Sequence, residues 1–366
     1  MFLSRIVSSN VRGLKHHSMD AKVKGLMVNL LDLDADFYCL VDTHLNSDSE
    51  YRLSSLWNGE IFYAHGPNSR NGIAVLNRNA QISDFYGHES GRFSIFRAKL
   101  GNRNLLCCVI YAPANSPTER SPFFNLIQTK IQCMLKPEEE IILLGDFNCV
   151  ESCELDRLNA KYPDPSVRSL KSLNASLDLF DTFRHCKPSE ISFTFVSSRG
   201  NASRLDRAYA SSYLLDFLTL VDHPPNVYSD HTFLTVDFDF SEVEIGKGQW
   251  RLPSNVLQDK SFQDNIENFW SGWTNQKRMF PSLLEWWDKG KERIKSIALT
   301  HQKRFRKREN RHLKSLDKRL RNAIKGGKIG LINHLNTQIR SVHRDRVSQY
   351  FQSRKLDWAE YWEKST

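Results

Sequence analysis

Glu140-Ile141-Ile142-Leu143-Leu144-Gly145-Asp146-Phe147-Asn148 runs four apolar residues into a glycine, an acid, an aromatic and an amide. The apolar run has strand length, and Gly-Asp-Phe-Asn suits the turn after a strand whose end must carry a polar group. Upstream, Leu105–Tyr111 and Phe93–Leu100 have the same character, and a helix from about Pro122 to Leu135 separates Leu105–Tyr111 from Glu140–Leu144. Farther back lie Gly72-Ile73-Ala74-Val75-Leu76 and two runs that read as buried strands, Arg5–Ser9 and Tyr38–Val41, with a helix from about Asp20 to Leu33 between the last two. Downstream, a helix over Ser166–Leu177 is followed by strands at Phe193–Ser197, Ser203–Ala210 and Thr232–Phe240. Many strands with few helices between them argue for packed sheets flanked by helices, not a doubly wound Rossmann sheet. There is no internal repeat.

With 366 residues, 40% hydrophobic, 25% charged and 11% aromatic, the chain is no disordered, collagen-like or disulfide-scaffold sequence. Its length allows one large or two modest domains. No apolar run approaches the ~20 residues that span a bilayer, and Met1–Val7 is too short for a secretory signal. The seven cysteines form no Cys-x-x-Cys pair and read as reduced core residues of a soluble intracellular protein.

Net charge is +9, unevenly spread. Residues 1–240 hold 24 basic and 28 acidic side chains, whereas residues 241–366 hold 27 and 14. Seven of the eight tryptophans come after residue 249, so a boundary falls near Gly246-Lys247-Gly248, giving domains 1–242 and 243–366.

The chemistry-bearing residues gather at strand ends. Asn10 follows the first strand and Asp42 ends the second; Asp146 and Asn148 follow the run Ile141–Leu144; Asp206 lies in Ser203-Arg204-Leu205-Asp206-Arg207; Ser229-Asp230-His231 precedes the last strand. Carboxylate and amide oxygens suit Mg²⁺, a hard cation that keeps several waters. A histidine beside carboxylates is held in one tautomer for acid–base work. If the strand ends converge, they make a metal-assisted phosphodiester-cleaving site. Taken singly, each Asp reads as a turn or helix cap, and Ser-Asp-His as a loop.

Together these segments resemble the endonuclease/exonuclease/phosphatase superfamily, above all the endonuclease of non-LTR (LINE-type) retrotransposons. The stretches that carry the likeness are Ser9–Leu14, Leu40–Leu45, Asn71–Leu76, Ile110–Pro113, Gly145–Asn148, Phe193–Phe195, Ser203–Arg207 and Ser229–His231, in the family's order. The resemblance implies an α/β fold, a four-layer sandwich of two central sheets between helices. It implies DNA as substrate, with nicks that leave a 3′-hydroxyl and a 5′-phosphate, a nuclear setting, and Mg²⁺ (or Mn²⁺) as cofactor. Asn10 and Asp42 would hold the metal with help from Asp230, and Asp146, Asn148 and His231 complete the metal-side set. Tyr111 would contact the scissile phosphate, and Asp146 and Asn148 would place and activate the water. Asp206 would orient His231, which would stabilise transition-state charge or exchange a proton, while Thr194 and Ser203 would touch substrate phosphates. Asp42 departs from the family's usual glutamate, one methylene longer, which puts activity in question.

Beyond residue 242 the reading is helical: Phe262, Ile266 and Phe269-Trp270 share a face, as do Leu313, Leu316, Leu320 and Ile324 on a basic helix that stops at Gly326-Gly327. Another helix is expected over Gly330–Trp358. Lys303, Arg304, Arg306, Lys307, Arg308 and Arg311 are the candidates for nucleic-acid contact, DNA or RNA, against a plain reading as a solvated helix face or a membrane- or calmodulin-directed one. The region resembles the linker before a LINE-type reverse transcriptase, a polymerase that would here be supplied in trans. Trp358–Thr366 resembles the entry to that polymerase, and no Tyr-x-Asp-Asp comes after it, as in a truncated element. Two alternatives stay open: a phosphatase or phosphodiesterase of the same fold, and a decayed nucleic-acid-binding remnant.

Overall fold

A computed structural model describes residues 3–15, 20–114, 116–158, 162–240, 254–257, 259–326, 328, 330–339 and 341–342, without the side chains of 254, 255, 302, 303, 305–310, 313, 317 and 325. The chain divides into two compact units, Met1–Glu244 with Arg319–Arg340, and Ile245–Lys318 with Ser341–Thr366.

Among the described residues, fourteen strands lie in the first unit: β1 Leu3–Asn10, β2 Phe37–Val41, β3 Ile61–Ala64, β4 Ile73–Asn77, β5 Gln81–Gly87, β6 Phe93–Leu100, β7 Arg103–Tyr111, β8 Glu140–Asp146, β9 Leu179–Asp181, β10 Phe195–Val196, β11 Ala202–Ser203, β12 Asp206–Ser211, β13 Leu218–Asp222 and β14 Leu234–Asp239. They form two six-stranded sheets, ordered β13-β14-β1-β2-β4-β3 and β5-β6-β7-β8-β12-β9, and a small β10-β11 ladder. Both large sheets are mixed, since β1–β2 and β7–β8 run parallel and their other neighbours antiparallel.

Alternation along each strand builds the layers. Phe37, Cys39 and Val41 of β2 face Phe96, Cys107, Val109 and Leu144 in a core between the sheets. Tyr38 and Leu40 point the other way, onto Leu26, Met27 and Leu30 of helix α1 (Asp20–Leu33). On the far side Leu106, Cys108 and Leu143 meet Phe124 and Ile127 of α2 (Pro117–Met134) and Leu170 and Leu173 of α3 (Val167–Ser176). Strands covered on both faces read as unbroken apolar runs, which is why they were legible. The fold is the expected four-layer sandwich.

Boundaries differ where local chemistry outweighs apolar pattern. Helix α2 starts at Pro117, five residues before Pro122, because Pro117 occupies the first turn, where a missing N–H costs nothing. The expected strand over Ser203–Ala210 is two pieces, β11 and β12, and Phe193–Ser197 is a strand only at Phe195–Val196. The edge strands β5, β9 and β13 carry no long apolar run and β3 is only the four residues Ile61–Ala64, so hydrogen bonding to a neighbour forms them.

The second unit is helical in its described part. Asp259 caps α4 (Lys260–Asn275), accepting from Ser261 N at 2.8 Å and Phe262 N at 3.2 Å. Val256, Phe262 and Ala298 make a small core. The expected basic helix is the latter part of α5 (Leu283–Lys325), whose residues from Arg319 on belong to the first unit; Leu316 and Leu320 are buried, and it ends beside Gly326 as anticipated. Residues 330–339, which belong to the first unit, and 341–342 are helical; the rest of the helix expected to Trp358, the boundary at Gly246–Gly248 and Trp358–Thr366 lie outside the described residues.

Candidate active site

Topology brings the strand-end residues together. Parallel β1 and β2 end side by side at Asn10 and Val41, and parallel β7 and β8 end at the pair Tyr111–Asp146. Antiparallel β12 begins where β8 ends, so Asp206 pairs with Asp146, and β14 begins just past His231. Gly145 approaches so closely that a Cβ would stand 2.1 Å from Ile110 O, and its φ of +132° excludes other residues.

Asp206, His231 and Asp146 form a buried line. His231 Nδ1 lies 2.7 Å from Asp206 Oδ2, and Nε2 is 3.9 Å from Asp146 Oδ2. The Phe195 ring covers the imidazole at 5.0 Å. Asp146 Oδ2 also accepts from Asn10 Nδ2 at 2.9 Å and from Asn148 Nδ2 at 3.3 Å, while Oδ1 accepts from Asn148 N at 2.9 Å. Asn148 Nδ2 is further tied to Ala112 O at 2.9 Å.

Burial drives the Asp146 carboxyl up to about 6, against the opposing charge of His231. Burial also works to lower His231, but the carboxylates of Asp206, Asp146 and Asp230 outweigh it and raise the imidazole to about 9. Tyr111 is pushed well up by burial and by Asp42 and Asp146, so its hydroxyl keeps its proton.

Asp42 sits at φ +58°, with its Oδ1 2.9 Å from His44 Nε2, and it hydrogen-bonds Tyr111. Asp230 pairs with Arg12, Nη1 to Oδ2 at 2.9 Å. Ser203 Oγ receives Arg157 Nε at 3.4 Å. Thr194 is wholly buried, and its Oγ1 accepts from Leu205 N at 2.9 Å and Asp206 N at 3.0 Å, which fixes the backbone that presents Asp206. Of the tail candidates, Arg304 and Arg311 are exposed; the side chains of Lys303, Arg306, Lys307 and Arg308 are outside the described residues.

Sequence reasoning passed over four participants: Arg12, His44, Phe195 and Lys22. The last donates from Nζ to the carbonyls of Val11 at 2.6 Å and of Arg12 and Gly13 at 3.0 Å, gripping the loop after Asn10. Arg12 and His44 each stand two residues past a recognised polar residue, the one spacing that could have pointed to them.

The donor set suits a hard cation. Asp146, Asp206 and His231 offer ligand atoms within 4.8 Å of one another, and Asp206 Oδ1 is buried with no hydrogen-bond partner. The other ligand candidates are carboxylate and amide oxygens.

A model of the Endonuclease/Exonuclease/phosphatase family matches residues 7–231. The Transposon TX1 uncharacterized 149 kDa protein of Xenopus laevis is 26% identical over 284 residues, covering 76% of this chain and 22% of that protein. The chain thus spans under a quarter of the length of that relative. An AP endonuclease from Leishmania major superposes with TM-score 0.55 at 18% identity, covering 64% of this chain and 87% of that one. An AP endonuclease from Archaeoglobus fulgidus gives 0.55 at 17%, covering 64% and 99%. The catalytic domain of Xenopus laevis APE2 gives 0.52 at 20%, covering 63% and 90%.

Proposed function

Because the chain belongs to the endonuclease/exonuclease/phosphatase family, we propose that it is an endonuclease that nicks DNA, leaving a 3′-hydroxyl and a 5′-phosphate, with Mg²⁺ or Mn²⁺ as its ion. The observation that carries this reading is the buried Asp206–His231–Asp146 line with Asn10 and Asn148 on the same carboxylate. Asn10 and Asp42, at neighbouring strand ends, would hold the cation, which when bound polarises the phosphate and offsets its charge.

The chain's own groups supply the rest. Asp146, with its carboxyl near 6, accepts a proton from the attacking water at neutral pH, and Asn148 fixes that carboxylate's direction. His231, kept protonated by the facing carboxylates, holds its Nδ1–H on Asp206 and turns its Nε2–H toward Asp146, where it stabilises charge on the phosphorus centre. Tyr111, protonated, donates to a phosphate oxygen. No covalent intermediate is required.

A polynucleotide is favoured over small phosphoesters by the basic segment Lys291–Lys325, with 14 basic and three acidic residues. The TX1 likeness supports a role within a transposon, and with it we propose a nuclear setting, a reverse transcriptase acting in trans and RNA held on the basic segment. The 284 aligned residues of that likeness exceed the stretch up to residue 240, so it runs into the second part of the chain.

Supercoiled-plasmid nicking tests the reading. Wild type should nick with Mg²⁺ and not with EDTA, small phosphoesters should not compete, and His231→Ala should be silent. Nicking by Asp42→Glu alone would mark a decayed enzyme. Silence of both with retained DNA binding would leave a binding protein.

A further inference from the structure

Arg12 has no role in the chemistry above, yet it stands at the mouth of the site. Its backbone N–H donates to Asn10 Oδ1 at 3.0 Å, which sets a left-handed φ of +50° two residues beyond Asn10. From there the side chain reaches out, 68% exposed, to Asp230, itself 23% exposed. Asp230 immediately precedes His231, and its other neighbour, Ser229, donates from Oγ to Asn10 O at 2.7 Å. The guanidinium is therefore placed, from both ends of its ion pair, on the solvent side of the segment that carries the histidine.

Three considerations give this cation a purpose. An exposed ion pair contributes little to folding. The neighbouring cation, Lys22, has its ammonium engaged by three carbonyls of the loop. Asp42, Asp146, Asp206 and Asp230 together repel an incoming phosphodiester, so a fixed positive charge at the rim offsets a barrier that the site itself creates.

We propose that Arg12 is a phosphate-binding residue and that Asp230 serves to hold its guanidinium rather than to ligate a cation. A divalent ion on Asp230 would share one carboxylate with the Arg12 guanidinium, whose Nη1 is 2.9 Å from Oδ2, and the two cations would repel. The ion pair occupies one edge of the fork, and the remaining N–H groups suit a DNA backbone phosphate beside the scissile one. This inference rests on the nuclease reading.

The test uses the full chain, as wild type, Arg12→Ala, Arg12→Lys and Asp230→Asn. Anisotropy of a short labelled duplex is read in EDTA over a range of NaCl, and plasmid nicking over a range of Mg²⁺. Arg12→Ala should weaken binding about tenfold and lower the slope of log affinity against log salt by about one. Arg12→Lys should restore the slope. In nicking, Arg12→Ala should raise KM, and Asp230→Asn should leave the Mg²⁺ concentration for half-activation where it is. Unchanged affinity and slope in Arg12→Ala would overturn the proposal, as would a several-fold rise in the Mg²⁺ requirement of Asp230→Asn. A wild type that nicks while Arg12→Ala binds normally defeats this inference alone. A wild type that never nicks, but loses affinity on Arg12→Ala, defeats the nuclease reading and leaves Arg12 standing.

Discussion

At the level of single residues, His231 shows how burial and charge compete. Removing the imidazole from water favours its neutral form, and two buried carboxylates on opposite ring nitrogens reverse that preference. His231→Ala should therefore cost about 10²–10⁴-fold in nicking rate, read from initial velocities. Asp206→Asn should fall in the same range, because an amide no longer supplies the charge that keeps the imidazole protonated. Thr194 is the contrasting case. Its hydroxyl serves two buried N–H groups rather than solvent, so Thr194→Val orphans both. Each orphaned donor costs about 1–3 kcal/mol, and urea unfolding should show a loss of at least about 2 kcal/mol. Thr194→Ser should recover most of it.

Between elements, a buried charge cluster ties the catalytic strand to its surroundings. Asp156 accepts from Arg204 Nε at 2.7 Å and Arg184 Nη2 at 2.5 Å on one oxygen, and from Arg207 Nη2 at 3.4 Å on the other. Arg204 reaches on to Asp181 at 2.7 Å, and Arg207 to the carbonyl of Cys149 at 2.6 Å, one residue past Asn148. The cluster thus joins β12, which carries Asp206, to the loop that carries Asn148. Asp156→Asn would leave buried guanidinium charge uncompensated, at a cost of about 3–5 kcal/mol. Asp156 is buried, which works against its charge, yet the arginines hold its carboxyl far below the ordinary range. The folded value is the lower one, so the cluster's stabilisation is full above the ordinary carboxylate value of about 4 and is lost as pH falls below it. Unfolding midpoints measured between pH 6 and 3 should fall for wild type and stay flatter for Asp156→Asn. Arg204 and Arg207 flank Asp206 in the sequence, but nothing local told that they point inward: a charged residue beside a strand is ordinarily solvated, and only the distant Asp156 and Asp181 make their burial affordable.

For the molecule as a whole, His223 links stability to pH. It is buried, stacked on Phe183 at 4.5 Å, with Nδ1 2.8 Å from Ser192 Oγ. Burial first, and then Arg204, Arg321, Lys187 and Arg184, hold it well below the ordinary value. Arg321 comes from the Arg319–Arg340 segment of the same unit and pairs with Asp222 at 3.2 Å. The unfolded chain binds the proton first, so stability is full above about pH 6.5 and declines as pH drops through the window below it. His231 and Asp146, both raised in the folded chain, act in the opposite sense over this range, so the decline is read as the difference between wild type and His223→Leu in chemical unfolding from pH 7.5 to 5. A wild type that did not lose stability relative to His223→Leu on acidification would contradict this account.

The order and type of the principal elements, the sandwich, and the polar residues at strand ends were all determined by the sequence itself. Strands covered on both faces must be apolar throughout, and side chains that do chemistry must interrupt them, so pattern and interruption were both visible. Tertiary structure alone decided which polar groups meet. Asn10 reaches Asp146 across 136 residues, Asp206 reaches His231 across 25, and Thr194 turns inward to serve Asp206. It also decided the edge strands and the burial of Arg204 and Arg207. The physical reason is common to all of these: a hydrogen bond or ion pair is fixed by the position of its partner, and partners far apart in the chain leave no periodicity in the sequence around either one.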